Sequence, residues 1–293
     1  MKRSVLNKGG RWFVVLLLLG FTLLIVGPFL WTFVMSLRPT NDIMENAYGI
    51  TWPPYVKNYV YAFTEFGFAQ YIKNSVYITG VALIVTTVVT AMAAFGFSRT
   101  RFAFPLREFL FLTIFISIMF PPQITLLSLY EGVARISRAL AKLMPEVEWR
   151  FQGSRESMIL IYTASALAFN IYILRSFFSQ IPQDLEDAAR IDGCSDWQMF
   201  WRVIFPIGTP AIATTIVINY ISFWNEFLYA VTMITKQKAR TLPLAMMFFA
   251  GEASVDIGMI ATGLMVSVIP VLILYLILSE QFIKGMTAGA LKG

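Results

Sequence analysis

The sequence predicts an all-α integral membrane protein with six transmembrane helices, and three observations carry that prediction. Hydrophobic residues fill 57% of the 293 positions and charged residues only 14%, against about 45–50% and about 25% in ordinary soluble domains. Six stretches of 18 to 26 residues contain no Asp, Glu, Lys or Arg, and about 20 residues at ~1.5 Å rise cross a hydrocarbon core of about 30 Å. The polar residues collect between these stretches, as they must when every buried backbone group has to be satisfied within a helix.

Taken in order, the spans read as 12–37, 74–98, 109–130, 157–178, 207–230 and 257–279, within one transmembrane domain, 1–293. The first follows a basic start, as a secretory leader would, but its apolar run exceeds the usual ~7–15 residues and no Ala-x-Ala site follows, so it reads as helix one. Lys2, Arg3, Lys8 and Arg11 precede it without an acid, and Arg99, Arg101 and Arg107 follow the second span. Cations favour the cytoplasmic side, so the N-terminus is placed there, and six crossings return the C-terminus to the same side. The stretch 131–156 then becomes an external loop, in which Arg135, Arg138, Lys142, Arg150 and Arg155 are balanced by four Glu. Ala91, Ala93, Ala94 and Gly96 in the second span offer small side chains for close helix packing. Pro28, the Pro121-Pro122 pair, Pro210 and Pro270 mark breaks or kinks. The 11-residue run 241–251 is too short to span and reads as interfacial or re-entrant.

Composition excludes several chemistries. There is no His and one Cys, Cys194, so no intrachain disulfide, no Ser-His or Cys-His nucleophile pair and no His-based metal site can form. No catalytic or metal-ligating residue is expected. The net charge of +6 comes without a basic-aromatic cluster, which argues against nucleic acid as a partner. No Gly-x-x-x-x-Gly-Lys-Ser/Thr phosphate loop occurs, so this chain does not itself carry that ATP-binding device.

The polar segment 181–206 is the most informative stretch. Pro182 suits a first helical turn, and Asp184, Glu186 and Asp187 favour its positive end. Gly193 suits the left-handed residue that closes such a helix, predicted over about 182–192. Ser195 and Gln198 fit a capping box, and Trp197, Phe200, Trp201 and Ile204 share one face of a second helix predicted to stop at Pro206. By themselves these patterns equally fit two helices lying in the headgroup layer with the Trp residues as anchors.

The run Asp187-Ala188-Ala189, three residues, Gly193, nine residues, then Val203-Ile204-Phe205-Pro206 resembles the EAA loop of ABC importer permeases. Asp187 stands where Glu is usual, and Val203 and Phe205 where Ile and Leu are. The string from Ala93 to Arg99, Phe120-Pro121-Pro122, Trp224-Asn225-Glu226 and the Gly/Ala-rich tail 285–293 are similar to the carbohydrate-importing, maltose-permease-like branch. The resemblance implies a bacterial cytoplasmic (inner) membrane location, surrounded by lipid, and half of a pore. It implies a homologous second permease, two cytoplasmic ATPase subunits that hold ATP and Mg, and an extracytoplasmic solute-binding protein that delivers a saccharide. The chain would then be a transport subunit and not an enzyme, with no cofactor of its own.

The same resemblance makes Leu185, Glu186, Asp187, Ala188, Ala189, Arg190, Asp192, Gly193 and Pro206 the ATPase-coupling residues. Glu186, Asp187 and Arg190 are expected to pair at the rim of a groove in the ATPase, while Leu185, Ala188 and Ala189 pack into it. The tail is expected either to fray or to lie on the ATPase. For the substrate path, saccharides call for aromatic faces and for amide or carboxylate partners. Asn170, Asn219, Tyr220, Trp224, Asn225 and Glu226 supply them within the spans. An oligosaccharide is the expected cargo, with a neutral sugar and an acidic one of the alginate type both open. The alternatives are an ABC permease for a non-sugar solute and an ion-coupled secondary transporter. Against the latter, Glu226 is the only acid within a span.

Overall fold

The computed structural model describes residues 8–99, 102, 105–144, 151–249 and 255–290. Lys2, Arg3, Arg101, Arg150, positions 145–150 of the expected external loop, 250–251 of the short apolar run and 291–293 of the tail lie outside the described residues. Every regular element among the described residues is helical. The helices are α1 (Lys8–Ser36), α2 (Thr40–Glu45), α3 (Lys57–Thr64), α4 (Phe68–Ser98), α5 (Arg107–Ile116), α6 (Pro122–Leu143) and α7 (Arg155–Phe178). There follow α8 (Asp184–Ile191), α9 (Asp196–Ile207, with a π turn at Phe200–Ile204), α10 (Thr209–Trp224), α11 (Leu228–Met233), α12 (Leu242–Met246) and α13 (Ile257–Ala290).

Among the described residues, four helices are long and apolar enough to cross a bilayer: the Gly10–Ser36 part of α1, α4, α7 and the Ile257–Ile277 part of α13. Two bent pairs raise the number to six if each is one span: Arg107–Met119 with α6, bent by 112°, and α9 with α10, bent by 75°. The fold is therefore the all-helical, multi-span one that the sequence predicts.

The run 109–130 breaks at the expected Pro121-Pro122 pair, where Phe120 and Pro121 are extended (ψ 116° and 140°) and Pro122 opens a new helix; two other expected boundaries are corrected. Proline has no N–H to donate and pushes the residue before it out of the helical region. Downstream, the stretch expected as an external loop from 131 is α6 as far as Leu143. Its charges explain why it looked like a loop: Glu131, Arg135, Arg138 and Lys142 fall at i, i+4, i+7 and i+11, one solvated face of a helix. Likewise, 207–230 is interrupted after Trp224 and resumes at Leu228.

The helix expected to stop at Pro206 continues to Ile207 and turns at Gly208. A wide turn, in which Phe205 N–H reaches back to Phe200 O, precedes the proline and relieves the crowding its ring would otherwise cause. A Cβ on Gly208 would stand 2.4 Å from Phe178 Cε1, so only glycine lets the chain turn against α7 there.

The chain divides into two compact units, Met1–Phe68 with Met246–Ile269, and Ala69–Ala245 with Pro270–Gly293. In the first, the buried Arg38 guanidinium donates to Asp42 O and Asn46 O at 2.8 Å each, and Asn58 Nδ2 donates to Ser36 O and Arg38 O. Gly258 sits against this junction, where a Cβ would lie 2.6 Å from Arg38 O and 2.8 Å from Asn58 Nδ2. A backbone oxygen cannot swing aside as a side-chain tip can. Gly258→Ala is therefore expected to destabilise the protein by about 1–3 kcal/mol, read as a lower thermal midpoint of the purified chain in detergent.

In the second unit, α4, α7 and α10 to α12 pack through Ile78, Met158, Tyr162, Phe223 and Met233, all buried. Nearer α8, Ala91 and Ala94 are fully buried among Leu174, Phe178, Phe200 and Ile204, the close packing expected of small residues. Asn74 Nδ2 donates to Lys238 O and Arg240 O, and Ser75 Oγ accepts from Leu242 N. These bonds fix the start of α12, whose Leu242, Leu244 and Ala245 are buried.

Candidate functional site

The segment around α8 is held by local chemistry at both ends. Asp184, Glu186 and Asp187 occupy its first turn, where carboxylates meet the positive end of the helix dipole. At its other end Cys194 N donates to Ala189 O and Gly193 N to Arg190 O, both at 2.9 Å. With Gly193 at φ +82°, this is the Schellman closure that a glycine at this position predicts. Ser195 then starts α9 through a reciprocal box: Gln198 N donates to Ser195 Oγ and Ser195 N to Gln198 Oε1. The two helices are thus joined by a turn of defined geometry.

The faces of α8 differ from expectation. Glu186 and Ala189 point inward and are buried, whereas Leu185, Asp187, Ala188, Ile191 and Asp192 are exposed. Glu186, expected at the rim of a partner's groove, instead forms an ion pair with Arg99, the residue that follows α4. Both side chains are buried, at 7% and 4% exposure. Burial pushes the Glu186 carboxyl above its ordinary value against the pull of Arg99, with Asp187 and Asp196 acting in the same direction as burial. Burial likewise lowers the Arg99 guanidinium, opposed by Glu186. Arg190 also turns to its own chain, 3.5 Å from Asp196. Pro206 is exposed on α9.

Ala189 and Glu186 are therefore anchors of the segment, and the outward surface is Leu185, Asp187, Ala188 and Ile191. Ile191 was missed, although at 86% exposure it is the most prominent apolar side chain of the segment. The signal was available: 185, 188 and 191–192 recur at i, i+3 and i+6/7, while 186 and 189 fall on the opposite face. Arg99 was missed because its partner lies far away in sequence.

The six substrate-path candidates differ in their surroundings among the described residues. Asn170, Asn219, Tyr220 and Trp224 are buried, with Tyr220 stacked on Trp224 at 5.8 Å. Neither amide atom of Asn170 has a hydrogen-bond partner among the described residues. Asn225 is exposed and its Nδ2 donates to Ile221 O at 2.9 Å, closing α10. Glu226 accepts from Tyr162 Oη (3.0 Å), Tyr229 N (2.6 Å) and Ala230 N (3.1 Å). That carboxylate caps α11 and ties it to α7.

Residues 86–283 match the family described as binding-protein-dependent transport system inner membrane component, and the chain belongs to that family. It is a permease subunit of an ABC transporter, a transport component and not an enzyme. It is 32% identical to the trehalose transport system permease protein SugB of Mycobacterium tuberculosis, over 94% of this chain and 95% of that protein. It is 29% identical to the trehalose/maltose transport system permease protein MalG of Thermococcus litoralis, over the whole of both. Among solved structures, a chain of a bacterial ABC transporter involved in the import of the acidic polysaccharide alginate superposes with a TM-score of 0.77 at 20% identity, covering 96% of this chain and all of that one. The last likeness concerns the fold.

Proposed function

We propose that this chain forms half of the pore of an oligosaccharide importer in a bacterial inner membrane and transmits partner ATP hydrolysis to the pore through α8. The observation that carries the reading is the two-faced geometry of α8. Its inner face is anchored by the Arg99–Glu186 pair and Ala189, and its outer face offers Leu185, Asp187, Ala188 and Ile191 to a groove. A helix clamped in this way moves with α4, so displacement of the helix displaces a span. The partners are a homologous second permease, two ATPases that hold ATP and Mg, and an extracytoplasmic binding protein. The segment faces the cytoplasm, together with both termini.

The test is uptake into proteoliposomes containing the complete complex, with trehalose, maltose, diacetylchitobiose and an alginate oligosaccharide offered in turn with the cognate binding protein. Uptake of one of them that stops when ATP or the binding protein is left out is the expected result. Uptake driven by an ion gradient without ATP would overturn the reading in favour of a secondary transporter.

A further inference from the structure

At the end of α4 nearest α8, the second unit holds a cavity of about 280 Å³ that the coupling reading does not use. Its polar wall is Arg107 and Arg175, with Ser98, Ser176 and Ser179 at its edge. The two arginine side chains are only 18% and 21% exposed. Both hold the exposed carboxylate of Glu108: Arg175 Nη2 donates to its two oxygens at 3.0 and 2.9 Å, and Arg107 Nη2 to Oε1 at 3.0 Å. Two cations against one anion leave the wall with a net positive charge.

The rest of the lining is aromatic, Phe97, Phe111 and Tyr172, and continues beyond the cavity. Phe97 lies 5.8 Å from Phe111, Phe111 6.5 Å from Phe115, and Phe115 5.0 Å from Tyr172. Arg175 sits 3.8 Å over the Phe111 ring, which joins the charged wall to this ladder. Leu112, Phe115 and Ile116 on α5 are exposed alongside it. Charge at a helix end and a ladder of rings leading along the spans match an amphiphile, with an anion at one end and hydrocarbon at the other. A soluble anion would use the arginines and leave the ladder bare.

We propose that this cavity binds the phosphodiester headgroup of an anionic phospholipid, with the acyl chains lying along Phe111, Phe115 and Tyr172. Basic pockets between spans at the cytoplasmic side are suited to such headgroups. The occupant lies close to the coupling machinery: Arg107 Nη1 donates to Arg99 O at 2.8 Å, and Arg99 pairs with Glu186. This assignment stands independently of which solute the complex carries.

The experiment uses the complete complex, reconstituted in phosphatidylcholine containing phosphatidylglycerol, then re-extracted and analysed by native mass spectrometry for retained lipid. Retention of phosphatidylglycerol over phosphatidylcholine is expected, falling about tenfold or more in Arg107→Gln/Arg175→Gln and persisting in Arg107→Lys/Arg175→Lys. Ser176→Asp, which places a like charge at an exposed position, is expected to reduce retention while the complex assembles. Equal retention of the two lipids, or undiminished retention in both the Gln and the Asp variants, would overturn the proposal. Displacement of the lipid by millimolar inorganic phosphate would assign the arginines to a soluble anion and overturn it as well.

Discussion

Replacing Arg99 by Met is expected to destabilise the protein by about 3–5 kcal/mol, the range for removing one partner of a buried ion pair. Arg99 and Glu186 are 7% and 4% exposed, so the carboxylate left behind has no water to take the place of the lost cation. The pH dependence has a definite sign. Burial already raises the folded-state Glu186 carboxyl, and Arg99 opposes that rise. Without Arg99 the rise is larger, and a carboxyl whose folded value exceeds its unfolded one binds more protons when folded. The variant is therefore expected to regain stability as pH falls, and to lose it as pH rises from the unfolded carboxyl value through the folded one. Thermal midpoints of native and variant chains across that range measure the effect. Arg99→Met/Glu186→Leu is expected to recover most of the loss at neutral pH, because no orphan charge remains. A single variant as stable as native at neutral pH would show that the pair contributes nothing.

Gly193→Val is expected to uncouple the transporter, with the binding-protein-stimulated rate of ATP hydrolysis falling by at least about tenfold, the equivalent of ~1.4 kcal/mol. Gly193 has φ +82°, and nothing lies within 4 Å of where its Cβ would be. The effect is thus conformational and not steric crowding by neighbours. A left-handed residue with a side chain costs about 1–2 kcal/mol, and a β-branched one is a clear outlier there. The chain would relieve this strain by giving up the 2.9 Å bonds from Cys194 and Gly193 that close α8. The angle between α8 and the Ser195 box of α9 would change with them. Asn is tolerated better in this region, so Gly193→Asn is expected to keep most of the stimulation. Equal rates for the Val and Asn variants would show that the turn geometry does not matter.

What could be read in the sequence was what local chemistry determines. The spans follow from uncharged length, and the Gly193 closure and the Ser195–Gln198 box follow from residue types a few positions apart. The continuation of α6 through Glu131 and Lys142 was hidden because charges on a solvated helix face resemble a loop when read one after another. Glu186 was assigned to a partner because its real partner, Arg99, approaches only through tertiary packing of α4 beside α8. The helix-capping contacts of Glu226 were also within reach, because an acid three residues before Tyr229, just after Asn225 closes α10, has the spacing of a helix cap. The aromatic ladder of Phe97, Phe111, Phe115 and Tyr172 draws on α4, α5 and α7, and no single sequence window contains it.

The outward face of α8 is tested most directly by ATP hydrolysis of the complete complex in lipid, with and without binding protein and its saccharide, comparing native with Asp187→Lys. Asp187 is exposed and is not one of the two paired side chains of the Arg99–Glu186 anchor, so the substitution changes the docking surface and keeps both members of the pair, while removing one negative charge that acts on the Glu186 carboxyl. Loss of the saccharide-dependent stimulation, in a complex whose permease and ATPase subunits still purify together, is the expected result. Stimulation equal to native would contradict it, and would leave α8 as a helix that rests on the membrane surface.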